Sequence, residues 1–308
     1  MITDRIDAIT RIAPQYRGEV LPAPRSVKIE ITADCNYKCS FCVKSLRADN
    51  GQMDRALYSR LLREMRDAGV EELGVFYIGE SFVCKWLPEA IREAKEVGFP
   101  YVFLTTNGSA ATPARVKECM EAGLDSLKFS MNFADMAQME SITQVSGRLY
   151  RKAIDNLKAA RAIRDEGGYK CGLYASSIKF DGAQGEAMQA LVDEVKPYLD
   201  QHYWLPLYGM SGASKAAGMK PQPGNPGRLD AMRDPLPCWS VFQEGHITAD
   251  GGLSACCFGN GLDDALKMAD LKEVSFMEGW NSIQYQTLRR AHLAKDVRGT
   301  ACEGCAAA

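Results

Sequence analysis

The chain has 308 residues, 46% hydrophobic and 25% charged, with a formal net charge of −2. That length can bury one large core and a smaller one, the composition is that of a soluble globular protein, and the charge balance offers no basic footprint for nucleic acid. No apolar run reaches the length of a membrane span, and Met1 to Arg5 carry no charged-then-apolar signal pattern, so a cytoplasmic protein is expected.

Residues 1–25 read as an N-terminal extension. From 26 to 208 the chain repeats a strand–helix unit. Val27, Ile29 and Ile31 alternate with Lys28, Glu30 and Thr32, as a strand requires. Leu57, Leu61, Leu62 and Met65 then recur at helical spacing, and Gly69 follows as a C-cap. Leu73 to Ile78 is the second strand. Leu87 to Val97 is a helix with Pro88 in its first turn and Gly98 past its end. Tyr101 to Thr105 is the third strand, a helix starts at Pro113, and Leu124 to Met131 is the fourth strand. A long helix spans about 147–166, a strand Tyr169 to Ser177, a helix about 184–195, and the sixth strand His202 to Leu207. Six such units predict an α/β fold with a parallel sheet, and they are too few for a closed eight-stranded barrel. A partial (β/α)6 barrel fits. Residues 209–237, rich in Gly, Pro and Ser, read as a linker. Residues 238–308 form a small C-terminal domain with a helix near Ile283 to Leu293, and core burial alone would hold so short a segment poorly.

Seven of the eleven cysteines fall in close groups: Cys35/Cys39/Cys42, Cys256/Cys257 and Cys302/Cys305. In a reducing compartment such groups point to metal ligands or catalysis rather than disulfides. The first group, Cys35-Asn36-Tyr37-Lys38-Cys39-Ser40-Phe41-Cys42, follows the first strand, at the carboxyl edge where parallel sheets bind ligands. Three thiolates on one loop can hold three irons of a [4Fe–4S] cluster and leave the fourth open. A structural zinc would need a fourth ligand, and none is near in sequence.

The C-x3-C-x2-C spacing, with an aromatic residue just before the third cysteine, resembles the radical S-adenosylmethionine (SAM) superfamily. That resemblance implies that SAM chelates the open iron and is cleaved to a 5′-deoxyadenosyl radical, which abstracts hydrogen from a substrate. It also implies an external one-electron reductant of the flavodoxin or ferredoxin kind. Tyr77-Ile78-Gly79-Glu80-Ser81 is similar to the family's Gly-Gly-Glu motif, with Ile78 in place of the first glycine. Thr105-Thr106-Asn107-Gly108, and Ser130 and Asn132 after the fourth strand, lie where the family contacts SAM. Gly79, Glu80, Asn107, Ser130 and Asn132 are therefore the expected SAM contacts, although Asn107-Gly108 taken alone reads as a turn.

In the C-terminal region Cys238, Cys256, Cys302 and Cys305 supply four thiolates, enough for a second [4Fe–4S] cluster or for a zinc ribbon. The spacing C-x12-G-x4-C followed by C-x2-C resembles the auxiliary-cluster region of the SPASM/twitch subgroup, in its short twitch form. The resemblance favours one auxiliary [4Fe–4S] cluster. The layout is similar to that of butirosin-pathway aminocyclitol dehydrogenases. In the related neomycin-pathway epimerases a cysteine returns hydrogen to the substrate radical, and Cys257 is the candidate donor here. Its alternative is a small buried residue, as Cys119 and Cys171 are expected to be.

Strand alternation sends Lys28, Glu30 and Thr32, and Lys128, Ser130 and Asn132, toward the barrel lumen. Glu30 and Lys128 are candidate substrate contacts, or else a mutually satisfying pair. A lumen with both charges suits a polar, sugar-like or cyclitol-like small molecule that is oxidised or epimerised. A ribosomal-peptide maturase and a non-enzymatic iron–sulfur carrier are the alternatives.

Overall fold

Six parallel strands build the barrel in a computed structural model that describes residues 1–47, 51–180, 182–208, 213–219, 236–257 and 264–303. They are β1 (Ser26–Ile29), β2 (Glu72–Gly74), β3 (Tyr101–Thr106), β4 (Ser126–Ser130), β5 (Gly172–Ile178) and β6 (Gln201–Leu205). Helix α1 (Ile2–Thr10) precedes them. Between them run α2 (Arg55–Asp67), α3 (Leu87–Val97), α4 (Pro113–Glu121), α5 (Met136–Thr143), α6 (Arg148–Gly167) and α7 (Gly182–Val195). The local signals act as expected. Asp54 accepts a hydrogen bond from the Leu57 N–H to start α2, whose Tyr58, Leu61, Leu62 and Met65 are buried. Helix α3 ends at Gly98, whose φ of 100° is left-handed.

Most of the linker, residues 209–212 and 220–235, lies outside the described residues, apart from a short α8 (Ala213–Ala216). The C-terminal region then adds α9 (Ser240–Gln243), β7 (Glu244–Ile247), β8 (Gly252–Ser254), β9 (Lys267–Asp270), α10 (Phe276–Trp280) and α11 (Ile283–Leu293). It does not form a separate layer. Strand β7 pairs in parallel with β1, from Ser26↔Glu244 to Ile29↔Ile247, giving one nine-stranded sheet in the order β6-β5-β4-β3-β2-β1-β7-β8-β9. One apolar cluster continues from Val27, Tyr58 and Leu73 to Phe242, Leu253, Trp280 and Tyr285. The small region thus borrows the barrel's core, which answers its shortage of apolar residues.

Strand β2 and the N-terminal residues differ from expectation. Strand β2 stops at Gly74 because the chain turns back on itself, with the Ser81 hydroxyl donating to the Val75 carbonyl at 2.7 Å. Residues 1–25 are more than an extension. Helix α1 closes the amino end of the barrel: Arg5 pairs with Glu72 at 2.8 Å and lies over the Tyr101 ring, and Gln201 donates to the Thr3 hydroxyl at 2.8 Å. No helix among the described residues is long and apolar enough to cross a membrane.

Candidate active site

Beyond β1 the chain loops through Cys35, Cys39 and Cys42. Lys38 and Ser40 donate backbone hydrogen bonds to Thr143 and Ile142 at the end of α5, at 3.1 and 2.9 Å. Tyr37 and Phe41 pack with Phe133, Met139, Ile142, Ile178 and Leu207. The Asn36 side chain accepts from Asn107 and donates to Ser109, both at 2.8 Å. Burial, helped by the nearby Glu80 carboxylate, pushes the Cys35 thiol up to about 12. Burial lifts Cys39 well above its ordinary value, with Cys42 and Cys35 adding to the effect, and it raises Cys42 too. Thiols in such a setting become ligands when a metal's charge replaces the proton. Among the described residues no three Cys, His, Asp or Glu side chains meet closely enough to hold one ion. Three neighbouring thiols on one loop, with Cys39 interacting with both of the others, match three irons of a [4Fe–4S] cluster and fall one short of the four ligands of a structural zinc.

The expected SAM contacts divide. Gly79 is a steric requirement, since a Cβ there would lie 2.1 Å from the Thr32 carbonyl oxygen. Glu80 is only 3% exposed and its carboxylate is turned inward. It accepts from the Phe82 N–H at 3.1 Å, the Thr106 hydroxyl at 2.9 Å and the Asn107 N–H at 2.7 Å. Burial still raises its pKa. Glu80 therefore ties the carboxyl ends of β2 and β3 together, and its carboxylate keeps acceptor capacity beyond these three bonds. Asn107 is likewise spent on the cysteine loop, through Asn36 and Ser109. Ser130 and Asn132 do line the main cavity. The buried Asn132 Oδ1 has no hydrogen-bond partner among the described residues. An orphaned amide oxygen is unfavourable until a ligand N–H or O–H reaches it, so this end of β4 fits a bound ligand.

The cavity, about 390 Å³, extends from Ile6 and Arg5 at the α1 end to Cys42 and Asn132. Inward-facing residues of all six parallel strands line it, among them Lys28, Glu72, Phe103, Lys128, Ser176 and Tyr203. This wrapping makes the sheet a partial barrel. The alternation predicted for β4 holds: Leu127 and Phe129 are buried outward while Lys128, Ser130 and Asn132 face the cavity. Glu30 does not reach it. Its two oxygens accept from Arg47 at 3.1 and 3.0 Å, from the Gly79 N–H at 2.9 Å and from the Ala249 N–H at 3.1 Å. The side chain is 1% exposed. The expectation that Glu30 touches substrate, or pairs with Lys128, is corrected: Glu30 joins the cysteine loop, the Gly79 turn and the C-terminal region.

Sequence reading missed an acid that does face the lumen. Glu244 pairs with Lys28 at 2.7 Å and with His246 at 2.9 Å. Burial pulls Glu244 upward, but Lys28 and His246 outweigh it and hold the carboxyl down to about 2. Burial lowers His246 despite that bond. The signal was present, because Glu244 and His246 are two apart and share a face if 244–247 is a strand. Helix α5 was also missed, although Asp135 caps it by accepting from the Gln138 N–H at 2.8 Å.

None of the described cysteines forms a disulfide. Cys256 and Cys302 pack partly buried against the main core, and the Cys238 N–H donates to His292 Nδ1 at 3.1 Å. Cys305 lies outside the described residues. Cys257 lines the cavity. Its side-chain contact with Cys256, then burial, lifts its thiol well above the ordinary value. The Tyr77 hydroxyl donates to the Cys256 carbonyl at 2.6 Å, pinning the pair. Cys119 and Cys171 are buried, as expected, and so is Cys84.

Comparison with known proteins agrees with this layout. The family model described as the Radical SAM superfamily matches residues 29–174, and the one described as an iron–sulfur cluster-binding SPASM domain matches 238–306. A GTP 3',8-cyclase of Chlorobaculum tepidum is 27% identical over 198 residues, 58% of this chain and 56% of that enzyme. The match thus spans little more than half of that relative. The crystal structure of BtrN in complex with AdoMet and 2-DOIA is similar with a TM-score of 0.55 at 16% identity, covering 87% of this chain and 86% of that one. Streptococcus suis SuiB bound to precursor peptide SuiA gives 0.69 at 15% identity, covering 94% and 71%. These structures show a shared fold.

Proposed function

The chain belongs to the radical SAM superfamily, with an iron–sulfur cluster-binding C-terminal region of the SPASM/twitch type, two [4Fe–4S] clusters and SAM as cofactors, and from that premise we propose that it abstracts hydrogen from a C–H bond of a polar small molecule held in the barrel lumen. When bound, the first cluster and SAM supply the 5′-deoxyadenosyl radical. Cys35, Cys39 and Cys42 would hold that cluster, and Cys238, Cys256, Cys302 and Cys305 the auxiliary one. Ser130 and Asn132 would orient SAM, and the backbone around Gly79 would lie beside it.

The observation that carries the reading is the cavity itself. One lumen connects the cysteine loop to Lys28, Glu244 and Lys128, and Cys257 opens onto it. It is closed at the other end by α1, which suits a small, enclosed substrate. Cys257 is the hydrogen donor in this reading. Its S–H gives a hydrogen atom to the opposite face of the substrate carbon, the product is an epimer, and the resulting thiyl is reset by one electron from the external reductant and one proton from solvent.

Reconstituted protein, SAM and dithionite are incubated in D2O with the low-molecular-weight fraction of a cell extract. The expected result is 5′-deoxyadenosine formation above the no-extract rate, with a product one mass unit heavier than its precursor. Cys257→Ala should keep 5′-deoxyadenosine formation and lose the deuterated product. A product two mass units lighter would mean oxidation, and the donor role of Cys257 would fail while hydrogen abstraction stood. Stimulation by the peptide fraction alone would favour a peptide maturase.

A further inference from the structure

Among the described residues the charges of the lumen cancel in pairs with one exception. At the floor Arg5 meets Glu72 at 2.8 Å, and in the wall Lys28 meets Glu244 at 2.7 Å. Lys128 meets no acid among the described residues. Its ammonium reaches the neutral Tyr203 hydroxyl at 3.3 Å and lies 5.8 Å from that ring's centroid. The residue sits mid-strand in β4, paired with Thr105 of β3 and Tyr174 of β5, so its inward direction is fixed from both sides. Aromatic rings, Phe76, Phe103 and Trp239 among them, share the cavity with it. A part-buried ammonium in such surroundings gains strongly from a counter-ion. It has three N–H donors, and Tyr203 takes one.

Depth along β4 says which molecule brings the counter-ion. Ser130 and Asn132 are at the carboxyl end of the strand, and Lys128 lies two residues, about 7 Å, deeper than Ser130. A molecule held at Ser130 and Asn132 has its own anchor there. The charge at Lys128 must come from what lies below it.

We infer that the substrate carries a carboxylate, seated on the Lys128 ammonium in a cavity whose other charges are already paired. This rests on the small-molecule reading above and names its substrate class: a hydroxylated acid rather than a neutral sugar or cyclitol. The Lys28–Glu244 pair then borders its hydroxyl-bearing side.

The probes are D-glucuronate and D-glucose, which differ at one carbon by a carboxylate. Each is titrated by calorimetry into the full chain carrying its clusters and SAM, and into Lys128→Met and Lys128→Arg. The wild type should bind glucuronate at least about tenfold more tightly than glucose, the preference should fall to within about twofold in Lys128→Met, and Lys128→Arg should restore it. Equal or absent binding of the two probes to the wild type overturns the inference, as does a preference that survives in Lys128→Met. Either result leaves hydrogen abstraction untouched, because that is read separately from 5′-deoxyadenosine. A response to peptides alone in that assay would overturn the small-molecule reading even if glucuronate bound.

Discussion

In β4 the inward residues Lys128 and Ser130, with Asn132 beyond the strand, all line the cavity, whereas in β1 the pattern stops after Lys28. Both strands alternate equally well in sequence. The difference lies in what surrounds them. Pairing is not the difference: both strands are paired on both sides, and a 2.8 Å backbone bond carries each register past its end, from the Met131 N–H to the Ser176 carbonyl and from the Glu30 N–H to the Ile247 carbonyl. Strand β1 ends at Ile29, and the chain beyond it rises into the cysteine loop, where Arg47 meets Glu30 before any ligand can. Alternation predicts direction. It does not reveal whether another segment has already filled the space that a side chain points into.

The sharpest way to test that contrast is Glu30→Gln. The amide keeps the shape and two acceptor positions but removes the negative charge that faces the buried Arg47 guanidinium. Breaking one half of a buried, hydrogen-bonded pair destabilises by about 3–5 kcal/mol. Urea unfolding of the purified protein should show a loss of that size. A loss below about 1 kcal/mol would mean that Glu30 is not a structural joint.

How much was legible follows the same logic. Leu61, Leu62 and Met65 on α2, the α3 caps and the outward Val27, Ile29 and Ile31 are local or periodic features, and each took its expected place. The three-cysteine spacing is local too. Glu80 and Asn107 were placed correctly in chain order, yet their side chains turn to protein partners, which only tertiary packing decides. The Lys28–Glu244–His246 cluster spans 216 residues of sequence between its first two members, and it exists because β7 pairs with β1. No pattern within either segment encodes that pairing.

A smaller effect is expected at the joint between the barrel and the C-terminal region. Tyr77→Phe removes the 2.6 Å hydrogen bond to the Cys256 carbonyl and leaves the 3.3 Å bond from the Ser254 hydroxyl. One neutral hydrogen bond contributes about 1 kcal/mol. Unfolding should shift by that amount, and iron per chain should stay near the wild-type value if the remaining bond holds the Cys256-Cys257 pair. Loss of about half the iron would show that Tyr77 is needed to form the auxiliary site.

Strand β6 extends the comparison to pH. Tyr203 and Leu205 line the cavity, while the neighbouring His202 hydrogen-bonds Ser177 at 3.0 Å. Burial, then the charge on Lys196, lowers His202 to about 4. The folded state therefore binds this proton less readily than the unfolded chain. Its contribution to stability is fully present above about 6.5, the ordinary histidine value, and is lost as pH falls toward 4. His202→Gln should flatten the stability profile across that window. Solvent screening at this half-buried ring keeps the effect below that of Glu30. An unchanged slope would mean that His202 titrates alike in both states.

The smallest effect on stability is expected where the effect on binding is largest. Among the described residues Lys128 has no oppositely charged partner such as Glu30 has in Arg47, so Lys128→Met removes a charge and breaks only the 3.3 Å contact with the Tyr203 hydroxyl. The methionine stem fills similar space among the cavity's aromatic rings, and a part-buried cation is no longer drawn from water. Urea unfolding should then agree with the wild type within about 0.5 kcal/mol, or favour the variant. A loss as large as that of Glu30→Gln would mean that Lys128 is a structural joint like Glu30, and the two strands would no longer differ in kind. Near-neutral stability beside the large loss at Glu30 would locate the distinction in partners already present, since both residues lie at inward-alternating positions.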